Sequence, residues 1–175
     1  MAASTPALTA TSYVVLGLLD ACGGATSYEL ERQVAGTVGA FWSFPRSQLY
    51  SEPVRLAEAG FVTEQREPDG RRRRTWSVTE QGRAALQQWL AEPTGAGTEI
   101  RDLGLLKLFF GAAASSPEHV RASARAQAEA HRRQLAVYEE LAQIDGMDPH
   151  QRATLRLGLT YEQAAVAFWD DVAAG

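Results

Sequence analysis

Cysteine is nearly absent from these 175 residues: Cys22 is the single one, and the three histidines are scattered. One thiol cannot close an intrachain disulfide, so the chain is expected to suit a reducing compartment. Cys22 itself, at the end of an apolar stretch, reads as a small buried hydrophobe. His119, His131 and His150 do not share the short spacings of metal ligands, no Cys-His dyad stands at usable spacing, and no glycine-rich phosphate loop is present. These gaps exclude the commoner enzyme classes, and they leave no cofactor or metal to expect. Long apolar runs are missing too, since nothing approaches the ~18 residues of a membrane span. The opening MAASTPALTATS has neither a basic region nor an apolar core of the kind an export signal needs. A cytoplasmic protein that does not contact membrane is the expectation.

Positive charge is also in short supply. Lys and Arg total 17 against 21 Asp and Glu, a formal net charge of -4, so bulk charge will not drive the chain onto nucleic acid. What basic charge there is clusters. From Arg46 to Arg83 there are eight arginines and six acids, and four of the arginines, Arg71, Arg72, Arg73 and Arg74, are consecutive.

The setting of that cluster is informative. Arg46 to Glu58 carries Leu49, Val54 and Leu56 among polar residues and stops at Gly60, which predicts a short helix. Phe61–Glu67 and Arg72–Val78 flank Pro68-Asp69-Gly70, a turn sequence, and predict a hairpin with arginines at its tip. Thr79 then caps a helix in which Leu86, Trp89 and Leu90 recur at helical spacing. Helix, hairpin and helix in this order outline a winged helix. A helix fits the major groove and brings side chains to base edges, while loop arginines neutralise phosphates. Arg46, Ser47, Gln48 and Tyr50 stand at the leading end of the helix as candidate contacts. Arg55, further back, has two open readings: a DNA contact, or a surface ion pair with Glu52 or Glu58.

The same stretch resembles the PadR family of bacterial transcriptional regulators. The resemblance rests on Phe41-Trp42, Arg46-Ser47-Gln48-Leu49-Tyr50-x-Glu52, Arg55-Leu56-Ala57-Glu58-Ala59-Gly60-Phe61-Val62, Gly70-Arg71-Arg72, and Trp76-Ser77-Val78-Thr79-Glu80-x-Gly82-Arg83. It continues into Arg101-Asp102 and Leu105-Leu106-Lys107-Leu108-Phe109-Phe110. Two departures stand out: Pro53 sits inside the recognition helix, where it is expected to kink the helix or delay its start, and Trp76 takes the place of a tyrosine. The resemblance implies a homodimer on a pseudo-palindromic double-stranded operator, acting as a repressor relieved by a small-molecule effector. A winged-helix protein-interaction module without DNA binding is the competing class.

Ahead of this region, Ser12–Ala21 is an apolar helix expected under other helices, ended by Gly23-Gly24. Ser27 is expected to cap a second helix, Tyr28–Val34, whose amide end can hold a phosphate with help from Ser27 and Tyr28. Phe41 and Trp42 are expected to anchor the recognition helix to the core. Pro93–Thr98 breaks the composition and marks a linker, giving a winged-helix domain over 1–92, a linker over 93–98 and a helical dimerisation domain over 99–175.

In the second domain Ile100–Phe110 is apolar nearly all round and is expected to be sandwiched between the domains. Ser116-Pro117-Glu118 and Asp148-Pro149 are helix starts. The first of these helices carries Val120, Ala124, Ala128, His131, Leu135, Tyr138 and Ala142 as a coiled-coil-like seam. The second carries two apolar stripes: Leu155, Leu159, Val166 and Trp169, and Leu157, Tyr161, Ala165, Phe168 and Val172. One stripe can face the chain's own helices, and the other calls for a partner subunit. His131 reads either as a packed histidine or as a metal or pH-sensing group. Trp169, Phe168 and Tyr161 read as core or as the wall of an apolar or aromatic effector pocket, with Gly158 leaving room. The fold class is therefore mainly α with a small β-hairpin wing.

Overall fold

A computed structural model describes residues 7–43, 45–66 and 73–175. Two compact units divide the chain, Met1–Ala96 and Gly97–Gly175.

The first unit runs α1 (Ala10–Cys22), α2 (Ser27–Gly36), a 3-10 turn at Val38–Ala40, α3 (Gln48–Glu58), β1 (Val62–Arg66), β2 (Arg74–Val78) and α4 (Glu80–Ala91). Thr9 caps α1 and, with Ser12, closes a reciprocal capping box, so the helix begins before Ser12. At α2 the expected cap was one residue off. Thr26 holds that position because Glu29, three residues on, accepts from the Thr26 amide at 2.8 Å; Ser27 is the first helical residue instead.

The core of this unit is Leu16, Leu19, Leu30, Leu49, Leu56 and Trp76, all at most 1% exposed. Gly24 lets the chain turn onto β2: its φ is +129°, and a Cβ there would meet the Ser77 hydroxyl at 2.7 Å. Ala25 then exchanges both backbone hydrogen bonds with Trp76. β1 and β2 pair antiparallel from Val62↔Val78 to Arg66↔Arg74. The expected strand start at Phe61 is displaced by one residue, because the Phe61 amide bonds to the Leu56 carbonyl at the end of α3.

Several burial expectations are corrected. Cys22 is exposed, one turn past the last core residue of α1, with its thiol donating to the Leu18 carbonyl. Phe41 and Trp42 are exposed at 63% and 46% and anchor nothing. Their loop is held by backbone bonds instead, both amides reaching the Val38 carbonyl. Leu90 is exposed, and Trp89, half out of the core, stacks on Tyr13 with centroids 4.6 Å apart.

The second unit contains α5 (Leu103–Phe109), a 3-10 turn at Gly111–Ala113, α6 (Pro117–Ala142) and α7 (Pro149–Ala174). Asp102, Ser116 and Asp148 cap the three helices with their side chains. α6 and α7 pack as an antiparallel pair, in which Ala124 and Ala128 are small enough to admit the buried indole of Trp169. The seam read from the sequence of α6 therefore faces α7 of the same chain. Gly158 sits under Tyr138, where a Cβ would lie 2.9 Å from the ring, so that space is filled by a side chain. Leu103, Phe109 and Phe110 are exposed at 65%, 81% and 61%, while only Gly104 is buried, close against Gln127 of α6.

Candidate nucleic-acid interface

α3 begins at Gln48, two residues later than the sequence suggested. Arg46 and Ser47 form the turn that leads into it, with Gln48 and Leu49 amides bonding to Pro45 and Arg46 carbonyls. Pro53 is buried inside the helix, which continues unbroken through it to Glu58. The proline ring fills core volume and leaves the Leu49 carbonyl without its usual partner.

Ser47, Gln48 and Tyr50 are exposed at the front of α3. The Thr11 hydroxyl donates to Gln48 Oε1 at 2.9 Å and steadies the amide from α1. Tyr28 is exposed at the start of α2, and Ser27 beside it is half-buried. Of the wing arginines, Arg73 and Arg74 are described; the candidates Arg71 and Arg72, and the turn Pro68-Asp69-Gly70, lie outside the described residues.

Among the described residues, Arg46, Arg73 and Arg74 are each met by a carboxylate. Glu31 of α2 pairs with Arg46 and accepts from the Tyr50 hydroxyl at 2.8 Å. That hydrogen bond, with some desolvation, raises the Tyr50 pKa above the ordinary phenol value. Glu29, already part of the α2 cap, pairs with Arg73. Its pKa is lowered, chiefly by the Thr26 amide and hydroxyl. Glu64 of β1 accepts from Arg74 through Nε at 2.5 Å and Nη2 at 3.0 Å, and from Arg66 Nε at 2.5 Å. Those two guanidiniums hold its carboxyl at about 2. Arg74 also lies over the Trp76 ring, 4.8 Å from its centroid.

Arg55 is held against its own helix and the start of α1. Its Nε and Nη2 grip Glu52 at 3.0 and 2.6 Å, Nη2 also reaches the Ser12 hydroxyl at 2.8 Å, and Nη1 donates to the Ala7 carbonyl. Of its two readings, the ion pair with Glu52 is the one present. Sequence reasoning missed Glu29, Glu31 and Glu64 altogether. The single signal for any of them was Thr26-x-x-Glu29, a capping-box spacing.

In the second unit, His131 Nδ1 is 2.6 Å from Glu162 Oε2, with the Tyr161 ring edge-on to the imidazole. Leu135, Tyr138, Leu155 and Leu159 are half-buried and Trp169 is buried on α6 and α7. Tyr161 and Phe168 remain exposed at 48% and 44%, next to Leu157 at 72%. Burial and then the charge of Asp102 and Glu162 raise the Tyr161 pKa. An open groove of about 500 Å³ is lined by Leu106, Lys107, Phe110, His119, Val120 and Trp169. It shares only Trp169 with the pocket expected from the sequence, because Tyr161 and Phe168 project elsewhere. Among the described residues no group of three or more His, Cys, Asp or Glu is placed to hold a metal ion, and no helix is long and apolar enough to cross a membrane.

A three-helix core with a two-stranded hairpin behind its third helix, joined to a helical second unit, defines a winged helix-turn-helix protein of the kind used in transcription regulation. Residues 15–88 match the Transcriptional regulator PadR-like family, and residues 100–175 match Virulence activator alpha C-term. The negative transcriptional regulator PadR of Bacillus subtilis is 29% identical over 100 residues, 56% of this chain and 54% of that protein, so the chain spans about half of that relative's length. Crystal structures of that protein superpose with TM-score 0.82 in complex with operator DNA (21% identity, 97% of this chain and 99% of that one). In complex with p-coumaric acid the TM-score is 0.74 (22%, 93% and 96%). The probable transcriptional regulator Rv1176c of Mycobacterium tuberculosis is 27% identical over 89% of this chain and 93% of its own. The Vibrio cholerae virulence activator AphA is 29% identical with TM-score 0.70, covering 94% and 96%. The chain carries a PadR-like transcriptional regulator domain over residues 15–88.

Proposed function

We propose that this regulator is a homodimer that binds a pseudo-palindromic double-stranded operator, represses transcription from it in the cytoplasm, and is released by a small apolar or aromatic effector. Residues 1–92 bind DNA, 93–98 link, and 99–175 dimerise. The observation that carries the reading is the exposed row Ser47, Gln48 and Tyr50 at the front of α3, with Arg46, Arg73 and Arg74 nearby as cations for phosphate. Gln48 contacts a base edge and the arginines contact phosphates, with Arg71 and Arg72 completing the wing. Ser27 and Tyr28 bring the amide end of α2 to the backbone. A relative crystallised with operator DNA supports this placement.

Dimerisation follows from exposed apolar surface. Leu157, Tyr161 and Phe168 on α7 and Leu103, Phe109 and Phe110 around α5 are exposed large apolar side chains, the kind of surface that a second subunit covers. A two-fold dimer sets two α3 helices about 34 Å apart, matching successive major grooves. The groove between Lys107, His119 and Trp169 suits a small ligand with an apolar body and an anionic end. The relative crystallised with p-coumaric acid is in keeping with such an effector. A ligand that favours a dimer with the wrong helix spacing lowers operator affinity by its differential affinity for the two states.

The net charge of -4 and the carboxylate partners of the arginines favour one second reading, a winged-helix protein-interaction module that does not bind DNA. Fluorescence anisotropy separates the two, using duplex from the protein's own upstream intergenic region and a scrambled duplex at two salt concentrations. Tight, sequence-dependent, salt-sensitive binding that is lost when Arg71 to Arg74 are changed to Ala is expected. Equal weak binding to both duplexes rejects the operator reading for that fragment and favours the protein-interaction module.

A further inference from the structure

Carboxylates hold the arginines at the front of the winged unit. Glu31 takes Arg46 with one oxygen and the Tyr50 hydroxyl hydrogen with the other. A tyrosine has one hydroxyl hydrogen, and a phosphodiester is purely an acceptor. Tyr50 therefore cannot donate to DNA while it donates to Glu31. Arg46 is 80% exposed along its side chain, so solvent and any approaching duplex reach its guanidinium, but Glu31 already neutralises it. On the wing, Glu64 grips the Nε and Nη2 fork of Arg74, the geometry a phosphate oxygen pair would adopt, and engages Arg66 as well. Unlike Glu29, neither carboxylate caps a helix, and neither has a core group to serve. Arg74 and Arg66 hold the Glu64 carboxyl well below the usual carboxylate range, so mild acidification does not free its arginines.

We infer that Glu31 and Glu64 are built-in competitors of DNA phosphate: a duplex gains Arg46, Tyr50 and Arg74 only by displacing them, and the two carboxylates thereby hold down sequence-independent affinity. This rests on the DNA-binding reading above. Competition acts on the phosphate part of binding, which every duplex shares, and leaves base reading by Gln48 untouched. The Arg46–Arg83 stretch, with eight arginines against six acids, then dissociates readily from random DNA.

The test compares wild type, Glu31→Gln and Glu64→Gln on operator and scrambled duplexes across a salt series. Glutamine keeps the shape and an acceptor oxygen while removing the charge. Each variant is expected to bind both duplexes up to about fivefold more tightly, the upper range for an exposed ion pair. The salt dependence should steepen toward about one further released counterion, with the operator-to-scrambled ratio unchanged. Melting temperatures close to wild type show that the fold is intact, and Glu64→Gln, on an exposed strand position, serves if Glu31→Gln unfolds. Unchanged or weaker binding by variants of a wild type that does bind operator overturns the competition and leaves the DNA reading standing. A wild type that prefers no duplex removes the DNA reading itself, and the competition with it.

Discussion

A Cβ on Gly82 would lie 2.1 Å from the carbonyl oxygen of Phe61 and 2.8 Å from Val78 Cγ2. The first turn of α4 is thus seated directly on the root of the wing, and Thr79 fastens it there: its amide donates to the Phe61 carbonyl at 3.0 Å and its hydroxyl to the Gly60 carbonyl at 2.8 Å. Gly82→Ala must push α4 off the hairpin, and is expected to cost about 2–3 kcal/mol in urea unfolding. Gly17→Ala is the contrast. Nothing lies within 4 Å of its would-be Cβ in the middle of α1, and it should add about 0.5–1 kcal/mol.

The Ser12–Glu52–Arg55 cluster ties α1 to α3 and makes stability depend on acid. Burial alone would raise the Glu52 pKa; hydrogen bonds from Arg55 and Ser12 outweigh it, and the pKa is lowered from 4.5. A carboxyl depressed in the folded state stabilises fully above its unfolded value, and that contribution fades as pH falls through the folded one. Chemical denaturation midpoints should therefore drop as the pH is taken below about 4.5. Glu52→Gln should flatten its share of that dependence while costing about 1–3 kcal/mol at neutral pH.

Leu157 and Phe168 are the residues to change if the second unit joins two chains. Leu157→Glu with Phe168→Glu should yield a monomer by sedimentation with helical content preserved, because neither side chain supports the α6–α7 seam. Trp169→Ala acts differently. It opens the seam and should cost about 3–5 kcal/mol of stability.

Base and phosphate contacts leave different marks on DNA binding. Gln48→Ala should weaken the operator by about 1–3 kcal/mol and leave scrambled duplex almost unaffected, relaxing specificity at one position. Arg74→Ala should weaken both alike and reduce the salt slope by about one. Anisotropy titrations over the same salt series read both.

Local signals were the legible part of this chain. Ser116-Pro117, Asp148-Pro149 and Thr79 start their helices because a cap needs only the residues beside it, and the hairpin is written in two β-rich runs around a turn sequence. What escaped depends on distance along the chain. Glu31 finds Arg46 and Tyr50 across 15 and 19 residues, and Arg73 finds Glu29 across 44; no periodicity encodes such meetings. Burial was harder still. The aromatic pair Phe41-Trp42 says that these residues avoid water, yet not that the winged unit supplies their cover. Thr26 displaced Ser27 as a cap because its partner Glu29 stands three residues on, which weighs more than a serine's own preference.

Cys22 gives the molecule a handle. It is the sole thiol in 175 residues and it is exposed at the end of α1. A maleimide dye placed there marks one defined point on each winged unit without any prior substitution. In a two-fold assembly the two dyes become a ruler between the reading heads, and a candidate effector can be scored by the change in energy transfer it causes, before any operator is known.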